Sequence, residues 1–213
     1  MIRAPASRHG AAAALIALLA VTVQAIASDD PAAQGDALVA QLRELPAPAL
    51  PVRGNSPVPP SEILRNRLYS ELGKLQADGV KALARGYSDA DVRMRRNVAL
   101  ALICLGGGFD PKLPKLDVEP ALRDLITALA DPDPDVRAWS AQALESLHER
   151  AAPAVPGLIV MLGREGEGDQ LNACGALRTI GEPARDALPA LRQRLMSPYQ
   201  SVRWCAGGAV QHI

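Results

Sequence analysis

The chain has 213 residues, enough for one or two domains. It is 48% hydrophobic but only 3% aromatic, so alanine and leucine carry its apolar content, and both are good helix formers. Its formal net charge is zero, which excludes the strongly basic surface that non-specific nucleic-acid binding requires.

Residues 1–27 have the layout of a secretory signal peptide. Arg3 and Arg8 form the positive start, Ala11 to Val23 the apolar core, and Ala25-Ile26-Ala27 the small residues a signal peptidase reads. The expected cut falls between Ala27 and Ser28, giving a periplasmic or secreted chain with no membrane span after cleavage. The apolar run is shorter than the roughly 20 residues a bilayer span needs. Cleavage removes two basic residues and no acid, leaving a slight excess of acids.

A short helical pattern follows from Pro31 to Glu44, with Leu38, Leu42 and Leu45 at helical spacing. Pro46 to Pro60 then holds six prolines in fifteen residues and reads as an extended linker. Residues 28–60 are thus expected to be a short helix and linker, and 61–213 the folded body. Ser61 is the expected N-cap of a helix through Leu64, Leu68, Leu72 and Leu75, with a break at Asp78-Gly79 and a short helix to Arg85.

The remainder is periodic. Val136, Asp169 and Val202 open three alanine-rich segments at a spacing of 33 residues, and Ala121, Ala154 and Ala187 open three preceding segments at the same spacing. Two helical patterns per period predict stacked helix pairs, an α-solenoid that buries its core between neighbours. Counting from each anchor, positions +0, +4, +7, +8 and +11 share one helix face, as in Val136, Ser140, Ala143, Leu144 and Leu147. Asp89 to Gly106 carries the pattern less cleanly. With Met94 as its anchor, the step to Val136 is nine residues too long, and the excess falls in the Gly/Pro-rich stretch 106–120. That makes about four repeats behind an N-terminal helical cap.

The tract Asp133-PDVRAWSAQALESL resembles HEAT repeats, most closely the short bacterial type also found in phycobilisome lyases. Ankyrin repeats share the period, but their Thr-Pro-Leu-His signature is absent. The resemblance covers roughly 61–213 and implies an all-α, right-handed superhelix of stacked helix pairs. It also implies that Arg137 and Arg203, one residue after the anchor, pair with an aspartate of a neighbouring repeat; Asp133, Asp135 and Asp186 are available. The third repeat departs from the pattern, with Asp169-Gln170 in place of Val-Arg and with Gly166, Gly168 and Gly175. It is expected to be locally loose or adapted at its surface.

No residue type recurs in a way that chemistry would need. HEAT-class iron hydroxylases use several His-Glu pairs, whereas this chain has one, His148-Glu149. Cys104, Cys174 and Cys205 stand at irregular spacing and read as small buried apolar residues, with no support from spacing for a Cys174–Cys205 bridge. The sequence therefore assigns no catalytic residue, cofactor or metal. It predicts an exported protein-binding or scaffolding module with an unidentified protein partner and no nucleic acid. The alternative is a lyase-like HEAT protein binding a tetrapyrrole or other small ligand. Candidate partner-binding residues flank or oppose the core stripe: Trp204, Arg95, Arg96, Asn172 and Trp139. Trp204, two residues past its anchor, lies about 200° round the helix from the core.

Overall fold

A computed structural model describes residues 29–46, 48, 60–107, 113 and 115–213. The signal-peptide segment, most of the Pro-rich linker and part of the 106–120 insertion lie outside the described residues. Ten α-helices occur among those described: α1 Pro31–Arg43, α2 Pro60–Lys74, α3 Gln76–Arg85, α4 Val92–Leu105, α5 Leu122–Ala128, α6 Pro134–Glu145, α7 Val155–Leu162, α8 Glu167–Ile180, α9 Leu188–Arg194 and α10 Gln200–His212.

The period survives into the coordinates. Helices α5, α7 and α9 start at residues 122, 155 and 188, again 33 apart, and each follows a short 3-10 turn. Ala121, Ala154 and Ala187, expected to open these helices, instead sit fully buried where turn meets helix. The helices α4, α6, α8 and α10 pack side by side as one layer, and α3, α5, α7 and α9 back them as the other. Positions +0, +4, +7, +8 and +11 of α6 and the residues that follow it are all buried, as the phase requires. The molecule is therefore an α-solenoid of four helix pairs.

Capping follows the aspartates. Asp30, Asp91 and Asp133 each accept a backbone N–H of the first turn of α1, α4 and α6. The α2 helix starts at Pro60, so Ser61 lies inside its first turn. The break before α3 falls at Gln76, whose φ is 51°, and not at Asp78-Gly79. Gly79 serves a different purpose. A Cβ there would lie 2.1 Å from the carbonyl oxygen of Leu72, so only glycine lets α3 fold back this closely on α2.

The α1 helix is stitched into the stack. It packs on α3, α2 and α4 and buries Leu38 and Leu42. A buried polar knot ties this cap to the first repeat. Arg65, fully buried, donates to the carboxylate of Glu62, to Asn97 Oδ1 at 3.1 Å and to the carbonyl of Pro46 at 2.7 Å. Asn97 in turn donates to the carbonyl of Leu42, and Tyr69 donates to the carbonyl of Asn97.

One residue after each anchor, a side chain reaches back to close its own loop. Arg95 donates to the carbonyls of Asp89 and Ala90, Arg137 to those of Asp131 and Pro132, and Arg203 to those of Ser197 and Pro198. Gln170 does the same in the third repeat through the carbonyl of Arg164. The position satisfies carbonyls six and five residues upstream, which explains why a long donor recurs there.

The other ends of these side chains link repeats, with acceptors different from those expected. Arg95 forms a bidentate pair with Asp131, and Arg96 pairs with Asp133 and Asp135. Arg137 pairs with Asp169 of the third repeat and with none of the three aspartates the resemblance offered. Arg203 makes only its backbone contacts among the contacts described. The departure of the third repeat thus has a packing cause. Asp169 and Gln170 are buried and bonded, Asp169 to Arg137 and Gln170 to Ser197. Arg164 stands where the second repeat has Asp131 and the fourth has Ser197. A cation there cannot accept from Arg137, so Asp169 does.

Candidate functional site

The layer of second helices presents rows of equivalent positions. Row +2 holds Arg96, Ala138, Leu171 and Trp204. Its C-terminal half is apolar and open: Leu171 is 37% exposed and Trp204 78%. Row +6 ends in Gly175 and Gly208, and row +9 runs Ile103, Glu145, Arg178 and Gln211.

Rows +6 and +9 interlock across repeats. A Cβ at Gly175 would lie 2.6 Å from Glu145 Oε1, so the Glu145 side chain lies over the bare backbone of the next repeat. Arg178 repeats the arrangement one step on, its Cδ 3.8 Å from the Cβ position of Gly208. Of the three glycines singled out in the third repeat, Gly175 is the floor under Glu145, while Gly166 and Gly168 face open space; Gly208 of α10 plays the same part for Arg178.

Glu145 makes no hydrogen bond or salt bridge among those described and is partly buried. Burial raises its carboxyl above the ordinary carboxylate range, and the charge of Arg178 opposes that rise. The sign follows from the protonation states. A carboxyl whose folded value is raised contributes most stability when neutral, and that contribution fades as pH rises through the folded value. Glu145→Gln is therefore expected to stabilise the protein slightly at neutral pH, by less than about 1 kcal/mol given its partial exposure. Thermal melts at pH 7 and pH 3.5 check this: the gain should vanish at the acid pH, and destabilisation at pH 7 would show that the charge has a favourable partner.

Glu145 opens onto a cleft of about 380 Å³ lined also by Gln142, Ser146, His148 and Thr179. A second cleft of about 680 Å³ lies beside it, with His148, Glu149, Glu182 and His212 in its wall. Both sit at the C-terminal ends of the second helices, where the unpaired carbonyls carry partial negative charge. His148 borders both clefts and holds a positive φ of 50°, at the same +12 position that Gly181 occupies with φ 73°. A histidine in this left-handed conformation is uncommon, though tolerated better than a β-branched residue would be. Among the described residues, no group of His, Cys, Asp and Glu is arranged to hold a metal ion.

The residues singled out from sequence divide sharply. Trp204 stands free on the surface. Asn172 is partly exposed but engaged, donating to the carbonyl of Gly168 and accepting from Gln142. Arg95 and Arg96 are committed to the aspartates of the next repeat, and Trp139 is buried, only 8% exposed. Two salt-bridged cations and a largely covered ring leave less surface open to a partner than Trp204 does. Leu171, Glu145 and Arg178 were missed. Each occupies a row position that the period defines, so the row of Trp204 carried to the previous repeat would have found Leu171.

Helix pairs stacked in two layers define an α-solenoid repeat protein. Residues 122–210 match the family described as HEAT repeats. The structure of the complex of CpcE and CpcF of phycocyanin lyase from Nostoc sp. PCC7120 is 27% identical, with 78% of this chain and 70% of that one covered and a TM-score of 0.54. A designed armadillo repeat protein in complex with the peptide (KR)4 shares the fold at 16% identity, with a TM-score of 0.59 over 93% of this chain and 92% of that one. An engineered protein is similar at 18% identity, with a TM-score of 0.56 over 90% of this chain and 94% of that one. No curated protein matches the chain.

Proposed function

We propose that this chain is an exported binding or scaffolding module, without catalysis of its own, that seats a protein partner along its second-helix layer. The observation that carries the reading is Trp204, 78% exposed beside Leu171 in one row of that layer. A bare tryptophan next to a leucine is the kind of anchor that dominates interface energetics. The similar phycocyanin lyase structure is itself a complex of two chains, CpcE and CpcF, which supports a partner for the scaffold. Export rests on the layout of residues 1–27, and N-terminal sequencing of the mature protein should begin at Ser28.

Affinity capture from the cell envelope tests the surface. The Trp204→Ala chain should retain its partner about tenfold more weakly, a change of about 1.4 kcal/mol. Undiminished capture by a normally folded variant removes Trp204 from the interface. A second reading, a lyase-like protein handling a tetrapyrrole or similar ligand, draws on the 27% identity to phycocyanin lyase and on the clefts around His148. Chain purified from its native source would then be coloured, whereas a colourless preparation supports the scaffold.

A further inference from the structure

Cys174 and Cys205 come from neighbouring repeats, on α8 and α10, and these two helices pack side by side. Cys205 Sγ also lies 3.9 Å from the carbonyl oxygen of Leu171, one helical turn before Cys174. Both are free thiols, and they differ in access: Cys174 is fully buried and Cys205 is partly exposed. The third cysteine, Cys104, is buried on α4, two repeats away. Sequence spacing gave no reason to pair any two of them. The proximity comes from the packing of α8 on α10, which sets the Cys205 sulfur against the turn of α8 that runs from Leu171 to Cys174.

We infer that Cys174 and Cys205 form a redox-active dithiol, oxidised to an inter-repeat disulfide by exchange with a low-molecular-weight or protein disulfide. Access sets the order of events. Cys205, the exposed member, attacks one sulfur of the oxidant and expels the other as a thiolate, giving a mixed disulfide. Cys174 then attacks the Cys205 sulfur and expels the second thiolate. The two cysteine protons end on the two thiolates released, so two protein thiols are oxidised and one disulfide is reduced to two thiols. The roles agree with local electrostatics. The hydrogen bond with Cys174, with the Arg178 charge adding to it, lowers the Cys205 thiol to about 7, while the same contact and burial push Cys174 up. The linkage would close a loop spanning the third and fourth repeats and pin the terminal helix pair to its neighbour.

Incubating the reduced protein with oxidised glutathione, followed by non-reducing tryptic mass mapping, tests the inference. Cleavage after Arg164, Arg178 and Arg203 places the two cysteines in separate peptides, 165–178 and 204–213. The expected product is monomeric chain with these peptides linked, two hydrogens lighter, and Cys104 still a thiol. Cys174→Ala should stop at a stable glutathione adduct on Cys205, and Cys205→Ala should slow thiol consumption at least tenfold. A stable adduct on Cys205 in the unaltered protein, with Cys174 left as a thiol, would overturn the inference. So would a linkage through Cys104, a linkage found only in dimers, or no loss of thiol. None of these outcomes depends on whether Trp204 binds a partner.

Discussion

Arg137→Ala is expected to cost about 4 kcal/mol, read as a lowered midpoint in chemical denaturation. Breaking a buried ion pair by removing one member typically costs ~3–5 kcal/mol, because the other charge is left uncompensated. Here Arg137 is 8% exposed and Asp169 7%, so little water is available to replace the lost partner. The same substitution also frees the carbonyls of Asp131 and Pro132, which Arg137 satisfies at 2.8 and 3.0 Å. Two mutations separate these contributions. Asp169→Asn removes the charge imbalance in the Arg137→Ala background and should restore part of the loss. The remainder belongs to the loop carbonyls. A single-variant cost under about 1 kcal/mol would mean that the pair is solvated in solution and does not hold the second repeat to the third.

Arg65→Leu is expected to cost about 3 kcal/mol and to loosen the N-terminal cap. The guanidinium is fully buried among the Glu62 carboxylate, Asn97 Oδ1 and the Pro46 carbonyl, and leucine answers none of them. Buried acceptors that lose a donor carry their full desolvation cost. Glu62 is partly exposed, so its charge can turn to water, which is why the effect falls below that at Arg137. The loss should be regional, because each solenoid layer contacts only its neighbours. Amide hydrogen exchange should quicken in α1, α2 and α3 and leave α8 and α10 unchanged. Uniform acceleration along the chain would show that the cap and the repeats unfold as one.

The parts of the fold legible in the sequence were those governed by a helix's own geometry. The starts of α5, α7 and α9, the buried stripe of α6 and the outward aim of Trp204 all follow from 3.6 residues per turn and a 33-residue step. Features that depend on the neighbouring helix were not legible. Phase says that Arg96 points away from the core of its own repeat, but not that Asp133 of the next repeat waits there. Gly175 reads as a poor helix residue until Glu145 is seen lying over it. The assignment of α1 to the stack failed to emerge for a related reason. A proline-rich stretch between α1 and α2 reads as separation, whereas Leu38 and Leu42 find their burial in helices more than twenty residues further along the chain. Glu145 was overlooked because a single glutamate at a helix end has no pattern of its own; it belongs to a row only once the repeats are superposed.

The joints between repeats are not alike, and their chemistry changes along the solenoid. The first is ionic, Arg95 to Asp131 and Arg96 to Asp133, and the second is the buried pair of Arg137 and Asp169. The third is made of neutral contacts such as Ser197 to Gln170, because Gln170 stands where the first two repeats carry Arg95 and Arg137. Neutral joints are indifferent to ionic strength, whereas partly exposed ionic ones weaken as salt rises. Acid acts with the same selectivity. Arg96 holds the Asp133 carboxyl below its usual range, so the stability of that joint is present above about pH 4 and is lost as pH falls through the depressed value. The solenoid is therefore a row of repeats whose joints respond differently to solution conditions. Salt and acid act on the first joint and spare the third.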